Sequence, residues 1–269
     1  MTTQFAGRTA LVTGAGRGIG QAVALELAAA GATVMLLARS ASELAETRAV
    51  ALARGALTGQ IHVIAADLGD PEQRAAATAE VVGTVQVDIL VNNAATVEPL
   101  GPTAAISAAE LRHAFEVNVI APIALTAAVL PGMLDAGWGR IVNVSSAIVA
   151  SPGSMVRGNA YAATKAALEA HTVNLAAELA GTGVTVNAYR PGGVDTAMQA
   201  WIRGQDPERI GTALHERFTR SFADGTLITA EHSASVLTGH LAGDDNGVIW
   251  DVSSRPVIRA LSGRSGIPA

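Results

Sequence analysis

The chain has 269 residues, of which 49% are hydrophobic and 15% charged, and its formal net charge is −5. The hydrophobic fraction is sufficient for a sizeable core and excludes an intrinsically disordered chain, while 18 basic against 23 acidic residues argue against nucleic-acid or anionic-membrane partners. The absence of cysteine from the sequence excludes disulfides, thiolate metal sites and a cysteine nucleophile.

The sequence carries two indications of cellular location. Its first residues lack the basic region and long apolar stretch of a secretory signal, and a chain without cysteine suits a reducing compartment. The longest uncharged stretch, residues 117–134, contains Asn118, Pro122 and Gly132, whereas a membrane span needs about 20 mostly apolar residues. We therefore expect a cytoplasmic protein, no membrane partner, and a buried helix in this stretch.

Short β-branched runs alternate with longer alanine- and leucine-rich stretches. The runs predict seven strands, at residues 9–13, 33–37, 61–65, 88–92, 141–144, 184–189 and 248–251. The periodic stretches predict helices at residues 18–30, 40–54, 107–136, 160–179 and 230–241, and a further helix that Asp70-Pro71 opens. Residues 196–227 are more polar and irregular.

Local signals refine two of these helices. Ser40 is a predicted N-cap, and Glu43 three residues later completes a predicted capping box. In the 107–136 stretch we expect an interruption or bend near Pro122.

This alternation indicates βαβ units and a parallel sheet with right-handed crossovers. No internal repeat or Pro/Gly/Ser-rich linker divides the sequence, so we expect one doubly wound α/β domain over residues 1–269. Ligands of such sheets bind beyond the carboxyl ends of the strands, at the reversal of strand order.

A glycine-rich segment, Thr13 to Gly20, follows the first strand. Its glycines let the backbone approach a phosphate, and the N-terminus of the next helix attracts anions. The strict G-x-G-x-x-G fingerprint is not met, because it would require glycine at Ile19. A bare turn is the alternative, but the position between strand and helix favours phosphate binding.

The end of the second strand discriminates between cofactors. An acidic residue there would bind the ribose 2′-hydroxyl of NAD, whereas an arginine accommodates the 2′-phosphate of NADP. The sequence has Arg39 at this point, and Arg17 in the glycine loop offers a second cation. We therefore expect NADP(H) to be preferred over NAD(H), with a solvated loop charge as the alternative for Arg39.

Tyr161 and Lys165 lie near the start of a predicted helix and, at i and i+4, share one face of it. We expect the lysine cation to lower the pKa of the Tyr161 phenol and so make it a general acid or base near neutral pH. Alone, this spacing is common by chance.

Polar segments at the ends of other predicted strands strengthen that hypothesis. They are Asp67-Leu68, Asn92-Asn93-Ala94, Asn143 to Ser146 and residues 191–196, with Asn118 in the helix before the fifth strand. With them the sequence resembles the classical short-chain dehydrogenase/reductase family from Thr9 to about Asp251, through the segments TGAGRGIG, NNAA, NVSS, YAATK and PGGVDT.

The resemblance implies a Rossmann-type sheet of about seven strands and hydride transfer between nicotinamide C4 and a ketone or secondary alcohol. It implies that Tyr161 exchanges a proton with the substrate oxygen, that Lys165 holds the nicotinamide ribose and depresses the pKa of Tyr161, that Ser146 binds the substrate carbonyl and that Asn118 holds a relay water. The predicted cofactor contacts are Gly14, Gly16, Arg17, Gly18, Ile19, Arg39, Asp67, Leu68, Asn93, Ala94, Tyr161, Lys165, Pro191, Val194 and Thr196. Among these the resemblance implies that Asp67 contacts the adenine, Asn93 the cofactor backbone, and Val194 and Thr196 the nicotinamide carboxamide.

Structural roles compete with several of these assignments. Asn118 can satisfy buried backbone groups, Asp67 and Thr196 can be helix caps, and one of Ser145 and Ser146 has only a structural role. The six histidines form no i, i+4 ligand pair, so we expect no metal.

The sequence also departs from the family pattern. Ala95 replaces a usual glycine, the tail after Asp251 lacks paired glycines and has no assigned role, and Ser146 precedes Tyr161 by fifteen residues. The longer spacing indicates a small insertion at residues 151–158 beside the active site.

The expected function is that of an NADP(H)-dependent carbonyl reductase or alcohol dehydrogenase, with a 3-oxoacyl thioester as one candidate substrate and residues 196–227 as substrate-binding region. A non-catalytic NADP-binding sensor or scaffold is the alternative. A sugar-nucleotide epimerase or dehydratase would need a longer chain with a sizeable C-terminal domain. The resemblance implies a homo-oligomer, a tetramer or dimer, formed through the helices that flank the fifth strand.

Overall fold

All seven predicted strands pair in one parallel sheet. The structure, a computed structural model, describes residues 4–253; the tail from residue 254 onward lies outside the described residues. The strands are β1 (Thr9–Thr13), β2 (Thr33–Ala38), β3 (Ile61–Ala65), β4 (Ile89–Asn92), β5 (Gly139–Val144), β6 (Val184–Arg190) and β7 (Ile249–Asp251). Their order in the sheet is β3-β2-β1-β4-β5-β6-β7. The predicted α/β fold is confirmed.

The central strands are apolar because both faces of the sheet are covered. Leu11 in β1, Val91 in β4 and Ile141 in β5 are each 0% exposed. A strand buried on both faces needs a continuous apolar run rather than an alternating one, which is the pattern by which the sequence predicts these strands.

The helices of the described chain cover both faces of the sheet or lie over its carboxyl edge. They are α1 (Gly18–Ala29), α2 (Ala41–Ala53), α3 (Pro71–Thr84), α4 (Ala108–Phe115), α5 (Ala121–Asp135), α6 (Asn159–Glu178), α7 (Ala197–Arg203), α8 (Pro207–Ile210), α9 (Thr212–Ala223) and α10 (Ala230–Leu241). One core cluster joins α1, α2 and α10 to the sheet, and a second joins α3, α5 and α6 to it.

The order of the strands reverses beside β1, which pairs with β2 on one side and with β4 on the other. The loops after these strands therefore separate and leave a crevice at the carboxyl edge of the sheet. The glycine-rich segment and Asn93 border this crevice.

The predicted 107–136 helix is interrupted just before Pro122, in agreement with the expectation. A π-helical turn, Glu116–Ile120, lies between α4 and α5, and Pro122 sits within the first turn of α5. Proline has no N–H to donate to the carbonyl of Asn118, four residues earlier. The disruption therefore falls in the turn before the proline, where the N–H of Ala121 bonds instead to the carbonyl of Glu116.

By length and composition alone, the helical stretch Ala108–Asp135 could cross a membrane. In the fold, its side chains Leu125, Val129 and Met133 pack in the core cluster beneath the sheet. This packing accounts for the apolar composition of the stretch without a membrane.

Residues 196–227, expected to be irregular, contain the three short helices α7, α8 and α9. Polar N-caps delimit two of them, with Thr196 accepting the N–H of Gln199 and Asp206 accepting that of Glu208. These short helices lie over the carboxyl edge of the sheet beside the segment that precedes α6.

Candidate active site

The glycine-rich segment is folded into a narrow loop that only glycine fits. Gly14 and Gly18 have φ angles of 65° and 58°, which side chains rarely adopt. A Cβ at Gly20 would lie 2.3 Å from the carbonyl oxygen of Gly14. The loop is held from below by Asn93, whose Nδ2 donates to the carbonyl of Thr13 over 2.9 Å.

The N-terminus of α1 has no side-chain cap, unlike those of α2, α3 and α4. Ser40, Asp70 and Ser107 each accept a backbone N–H at the start of α2, α3 and α4, whereas Arg17 at the start of α1 accepts none. The first turn of α1 also contains no acidic residue. Uncapped N–H groups beside a close-approaching backbone are the donor set that a dinucleotide phosphate requires, so these residues fit NAD(P).

Both predicted 2′-phosphate ligands are exposed cations paired with carboxylates. Arg39 lies 4.0 Å from Asp67, and Arg17 lies 3.2 Å from Glu43. Ser40 caps α2 as predicted, but no reciprocal Glu43 bond completes the capping box, because the Glu43 carboxylate turns to Arg17. Such exposed pairs contribute little stability, so either arginine can exchange its carboxylate for a phosphate.

Asp67 and Leu68 follow β3, and their polar groups support the local turn. The Asp67 Oδ1 accepts the N–H of Gly69 over 2.8 Å, and the carbonyl of Leu68 accepts a bond from Arg74 over 2.8 Å. Asp67 is not a helix cap, since Asp70 caps α3.

The segment after β6 is brought against the glycine loop. The Thr196 methyl lies 3.3 Å from the point where a Cβ on Gly18 would be, and the Thr196 hydroxyl caps α7. Val194 is buried and bridges to Ile228, while Pro191 accepts a bond from Ser233 through its carbonyl. Ile19 and Ala94 are partly buried and pack against the two core clusters.

Tyr161, Lys165 and Ser146 come together at the carboxyl end of β5. Lys165 is 2% exposed, and its Nζ donates to the carbonyl of Val144 over 2.7 Å and lies 5.8 Å from the centre of the Tyr161 ring. The Ser146 side chain faces the Tyr161 phenol. The arrangement places two hydroxyl groups and one ammonium group within a single buried site.

The pKa of Tyr161 moves in the direction opposite to the sequence prediction. Burial raises the pKa of the Tyr161 phenol, and the hydrogen bond with Ser146 only partly opposes this effect. Burial also lowers the pKa of Lys165 to about 8, against the attraction of Glu169. The expectation of a lowered pKa was wrong because desolvation of the buried phenol raises it.

The Asn118 side chain is fully engaged and 0% exposed. Its Oδ1 accepts the N–H of Thr96 over 2.8 Å, while its Nδ2 donates to the Thr96 carbonyl over 2.8 Å and to the Thr164 hydroxyl over 3.0 Å. The amide thus clamps the loop after β4 onto α6.

The two serines after β5 have different partners. Ser145 is buried, and its hydroxyl donates to Glu169 over 2.6 Å. Ser146 accepts the N–H of Ile148 over 3.3 Å and faces Tyr161. Ser146 is therefore the serine whose hydroxyl is placed for a substrate oxygen.

A ladder of buried polar side chains supports the site from beneath, and the sequence analysis gave it no role. Asn92 donates to Asn143 over 2.8 Å, and Asn143 donates to Thr172 on α6 over 2.9 Å. Thr47 on α2 likewise donates to the carbonyl of Ala15 over 3.0 Å. The only sequence signal for such a residue is its position at a strand end or on an apolar helix face. That position does not reveal which side chain it bonds to.

An apolar cluster encloses Tyr161. Its other buried members come from the loop after β4, the segment after β5 and helices α7 to α9: Val97, Leu100, Ile148, Met155, Ile202, Ile210 and Leu214. The predicted insertion holds this cover in place, because Arg157 donates to the carbonyls of Glu208 and Arg209, the latter over 2.9 Å. Arg217 on α9 donates to the carbonyl of Ser154.

Within residues 4–253, no group of three or more histidine, aspartate or glutamate side chains is arranged to hold a metal ion.

Comparison with known proteins identifies the family. The sequence model of the short chain dehydrogenase family matches residues 8–207. The 3-oxoacyl-acyl-carrier-protein reductase FabG of Pseudomonas aeruginosa is 37% identical over 238 residues, which cover 88% of this chain and 91% of that protein. The L-xylulose reductase of Mesocricetus auratus is 35% identical over 257 residues, which cover 93% of this chain and 99% of that protein.

Solved structures agree with this. A variant of actinorhodin polyketide ketoreductase, crystallised with NADPH, is 30% identical and superposes with a TM-score of 0.80, covering 94% of this chain and 97% of that chain. The family match, the site geometry and the sheet order lead to one conclusion: the chain belongs to the short-chain dehydrogenase/reductase family and is an NAD(P)-dependent oxidoreductase.

Proposed function

We propose that this enzyme uses NADPH to reduce a ketone with apolar substituents to a secondary alcohol, with Tyr161 as proton donor. The observation that carries the proposal is the buried Tyr161 phenol, which faces Ser146 inside an apolar cluster. A phenol whose pKa is raised keeps its proton at neutral pH, which is the state that a general acid for reduction needs.

The chain's own groups act on the substrate oxygen. The hydroxyls of Ser146 and Tyr161 bind that oxygen and stabilise the negative charge that develops on it. Tyr161 then donates its proton, and the Lys165 ammonium group, 5.8 Å from the ring centre, stabilises the resulting phenolate. NADPH, when bound, supplies the hydride from C4 of its nicotinamide.

Asn118 and the remaining predicted contacts have supporting roles. Asn118 holds the relay water through its main-chain carbonyl, since its amide is committed to Thr96 and Thr164. The cofactor lies along the glycine loop and the segment 191–196, with its 2′-phosphate between Arg17 and Arg39. This assignment is supported by the uncapped start of α1 and by the approach of Thr196 to Gly18.

The substrate class follows from the surroundings of Tyr161. A substrate that enters between Tyr161 and helices α7 to α9 contacts apolar side chains such as Ile202 and Leu214. Burying an apolar substituent there gains about 25 cal/mol per Å². Each buried hydroxyl that finds no partner costs about 1–3 kcal/mol, so a ketose binds poorly. Residues 196–227 form the substrate-binding region in this proposal.

The test is a comparison of ketones with the full chain and NADPH. We expect kcat/KM for acetophenone or a 3-oxoacyl thioester to exceed that for L-xylulose by about 100-fold, since two unpaired hydroxyls already account for that factor. A preference for L-xylulose would contradict the substrate class while leaving the reductase assignment intact. Absence of turnover with every ketone would contradict the enzyme mechanism and favour a cofactor-binding sensor.

The assembly and location are also proposals. One domain over residues 1–269 agrees with the single sheet among the described residues. We also propose a cytoplasmic location, since a sequence without cysteine suits a reducing compartment. A homo-oligomer through α5 and α6 is supported by Leu134 and Val173, apolar side chains that are 40% and 47% exposed on these helices. Side chains of this kind are buried when two copies pack together.

A further inference from the structure

Three residues of α6 form a stripe that faces the end of β5. Tyr161, Lys165 and Glu169 follow one another at intervals of four residues and so lie on one face of the helix. Glu169 is the member of this stripe to which the proposed mechanism gives no role. It is 6% exposed, which is unusual for a carboxylate.

Each residue of the stripe faces one of three consecutive residues at the end of β5: Val144, the last residue of the strand, and Ser145 and Ser146, which follow it. Lys165 donates to the carbonyl of Val144 over 2.7 Å, Glu169 accepts the hydroxyl of Ser145 over 2.6 Å, and the Tyr161 phenol faces Ser146. The first two contacts fix the backbone on which the third depends. A shift of Ser145 would therefore move the Ser146 hydroxyl away from Tyr161.

Glu169 is itself held by a cation at the end of β6. Arg190 donates through Nε and NH2 to the two carboxylate oxygens of Glu169, each over 2.8 Å. The guanidinium group thus grips the carboxylate in the bidentate geometry that arginine favours. Ser145 is tied to the same strand, since its N–H donates to the carbonyl of Tyr189 over 2.7 Å.

We propose that Glu169 is a positioning residue of this enzyme, which locks the strand end carrying Ser146 to the helix face carrying Tyr161 and Lys165. Arg190 keeps the Glu169 carboxylate in place. The proposal rests on the proposed function, because that function assigns the reaction to Ser146, Tyr161 and Lys165.

The charge of Glu169 has a second effect. Burial lowers the pKa of Lys165 to about 8, and the attraction of Glu169 works against this effect. The other charged groups around Glu169 are Arg190 on β6 and Asp251 on β7, which interacts with Arg190. Lysine is neutral above its pKa and then no longer stabilises the Tyr161 phenolate, so reduction slows as pH rises through about 8.

The effect of Glu169 on the pKa of Lys165 is directly measurable, because Lys165 is the only lysine in the sequence. NMR of the full chain labelled with ¹⁵N-lysine gives one ammonium titration, without substrate or cofactor. We expect Glu169→Gln to lower the pKa of Lys165 by about one unit, because the amide removes the negative charge and leaves Arg190 unpaired nearby. The alkaline fall of kcat should move to lower pH by the same amount.

Glu178→Gln is the matched control, since Glu178 is an exposed carboxylate on the same helix. It should leave the lysine titration and the pH profile of kcat unchanged. A folded Glu169→Gln protein with an unmoved lysine titration and wild-type kcat, whatever its thermal stability, would refute the proposal. If the wild type reduces no ketone, the proposed function fails, whereas the lysine titration still decides whether Glu169 acts on Lys165.

Ser145→Ala answers the positional question even if Glu169→Gln does not fold. This variant removes the hydrogen bond from Ser145 to Glu169 but keeps the ion pair between Glu169 and Arg190. We expect kcat to fall about tenfold, because small displacements of reacting groups are costly, with the titration of Lys165 unchanged. Wild-type kcat in a folded Ser145→Ala protein would show that Glu169 does not position the strand end.

Discussion

Replacing Tyr161 by phenylalanine is expected to lower kcat for ketone reduction by about 10³-fold, the contribution typical of a general acid. Phenylalanine keeps the apolar ring among Ile148, Ile202 and Leu214 but removes the proton and the hydrogen bond with Ser146. The fold and NADPH binding should persist. Steady-state NADPH oxidation gives kcat, and titration of nicotinamide fluorescence gives the NADPH affinity of the same preparation.

Tyr189→Phe is the matched control, because Tyr189 is the other of the two tyrosines and is 0% exposed. Its hydroxyl donates to the carbonyl of Ser233 on α10 over 2.9 Å, on the face of the sheet opposite α6. Losing that bond should cost about 1 kcal/mol of stability and leave kcat unchanged. Near-wild-type kcat in Tyr161→Phe would remove Tyr161 as proton donor and revive a role as cofactor sensor or scaffold.

Replacing Arg39 by alanine is expected to weaken NADPH binding by about 10- to 100-fold, the range for a hydrogen-bonded charge. NADH, which has no 2′-phosphate, should bind as it does to the wild type. Arg54→Ala, at the exposed end of α2, is the control and should change neither affinity. Equal losses for both cofactors would show that Arg39 supports the loop rather than the phosphate.

Glu43 offers an independent test of the same phosphate site. Its carboxylate pairs with Arg17 over 3.2 Å, and a Cβ on Gly16 would lie 2.8 Å from its Cβ. Glu43→Gln frees Arg17 and removes a negative charge, so NADPH should bind about two- to fivefold more tightly, as expected for an exposed ion pair. Unchanged or weaker NADPH binding would place the 2′-phosphate away from Arg17.

Much of the fold is predictable from this sequence because its signals are local. The β-branched runs define strands that are buried on both faces, and alternation with helices then dictates a parallel sheet. Gly14 and Gly18 indicate a tight loop, since few other residues adopt their backbone angles. Tyr161 and Lys165 need only helical spacing to lie on one face.

The remaining features depend on contacts between distant residues. Asn118 clamps Thr96 and Thr164, and Glu169 joins Ser145 to Arg190. No spacing rule links such positions. The direction of the Tyr161 pKa shift depended on burial, which the presence of a nearby lysine in the sequence does not reveal.

The interruption near Pro122 was predicted, but its exact position was not, although its cause is local. Pro122 predicts that the hydrogen-bond ladder fails, but the failure appears in the preceding π turn that contains Asn118. A proline removes the donor to a carbonyl four residues earlier, so its effect lies upstream. Counting back from the proline would have identified Asn118 as the residue at the distortion.

The central claim is that this protein transfers hydride from NADPH to the carbonyl carbon of an apolar ketone. The most direct measurement uses NADPH doubly deuterated at nicotinamide C4 with acetophenone and the full chain, followed by mass spectrometry of the alcohol. One deuterium is expected on the carbinol carbon of 1-phenylethanol. Unlabelled alcohol, or no alcohol from any apolar ketone under conditions where NADPH binds, would contradict it.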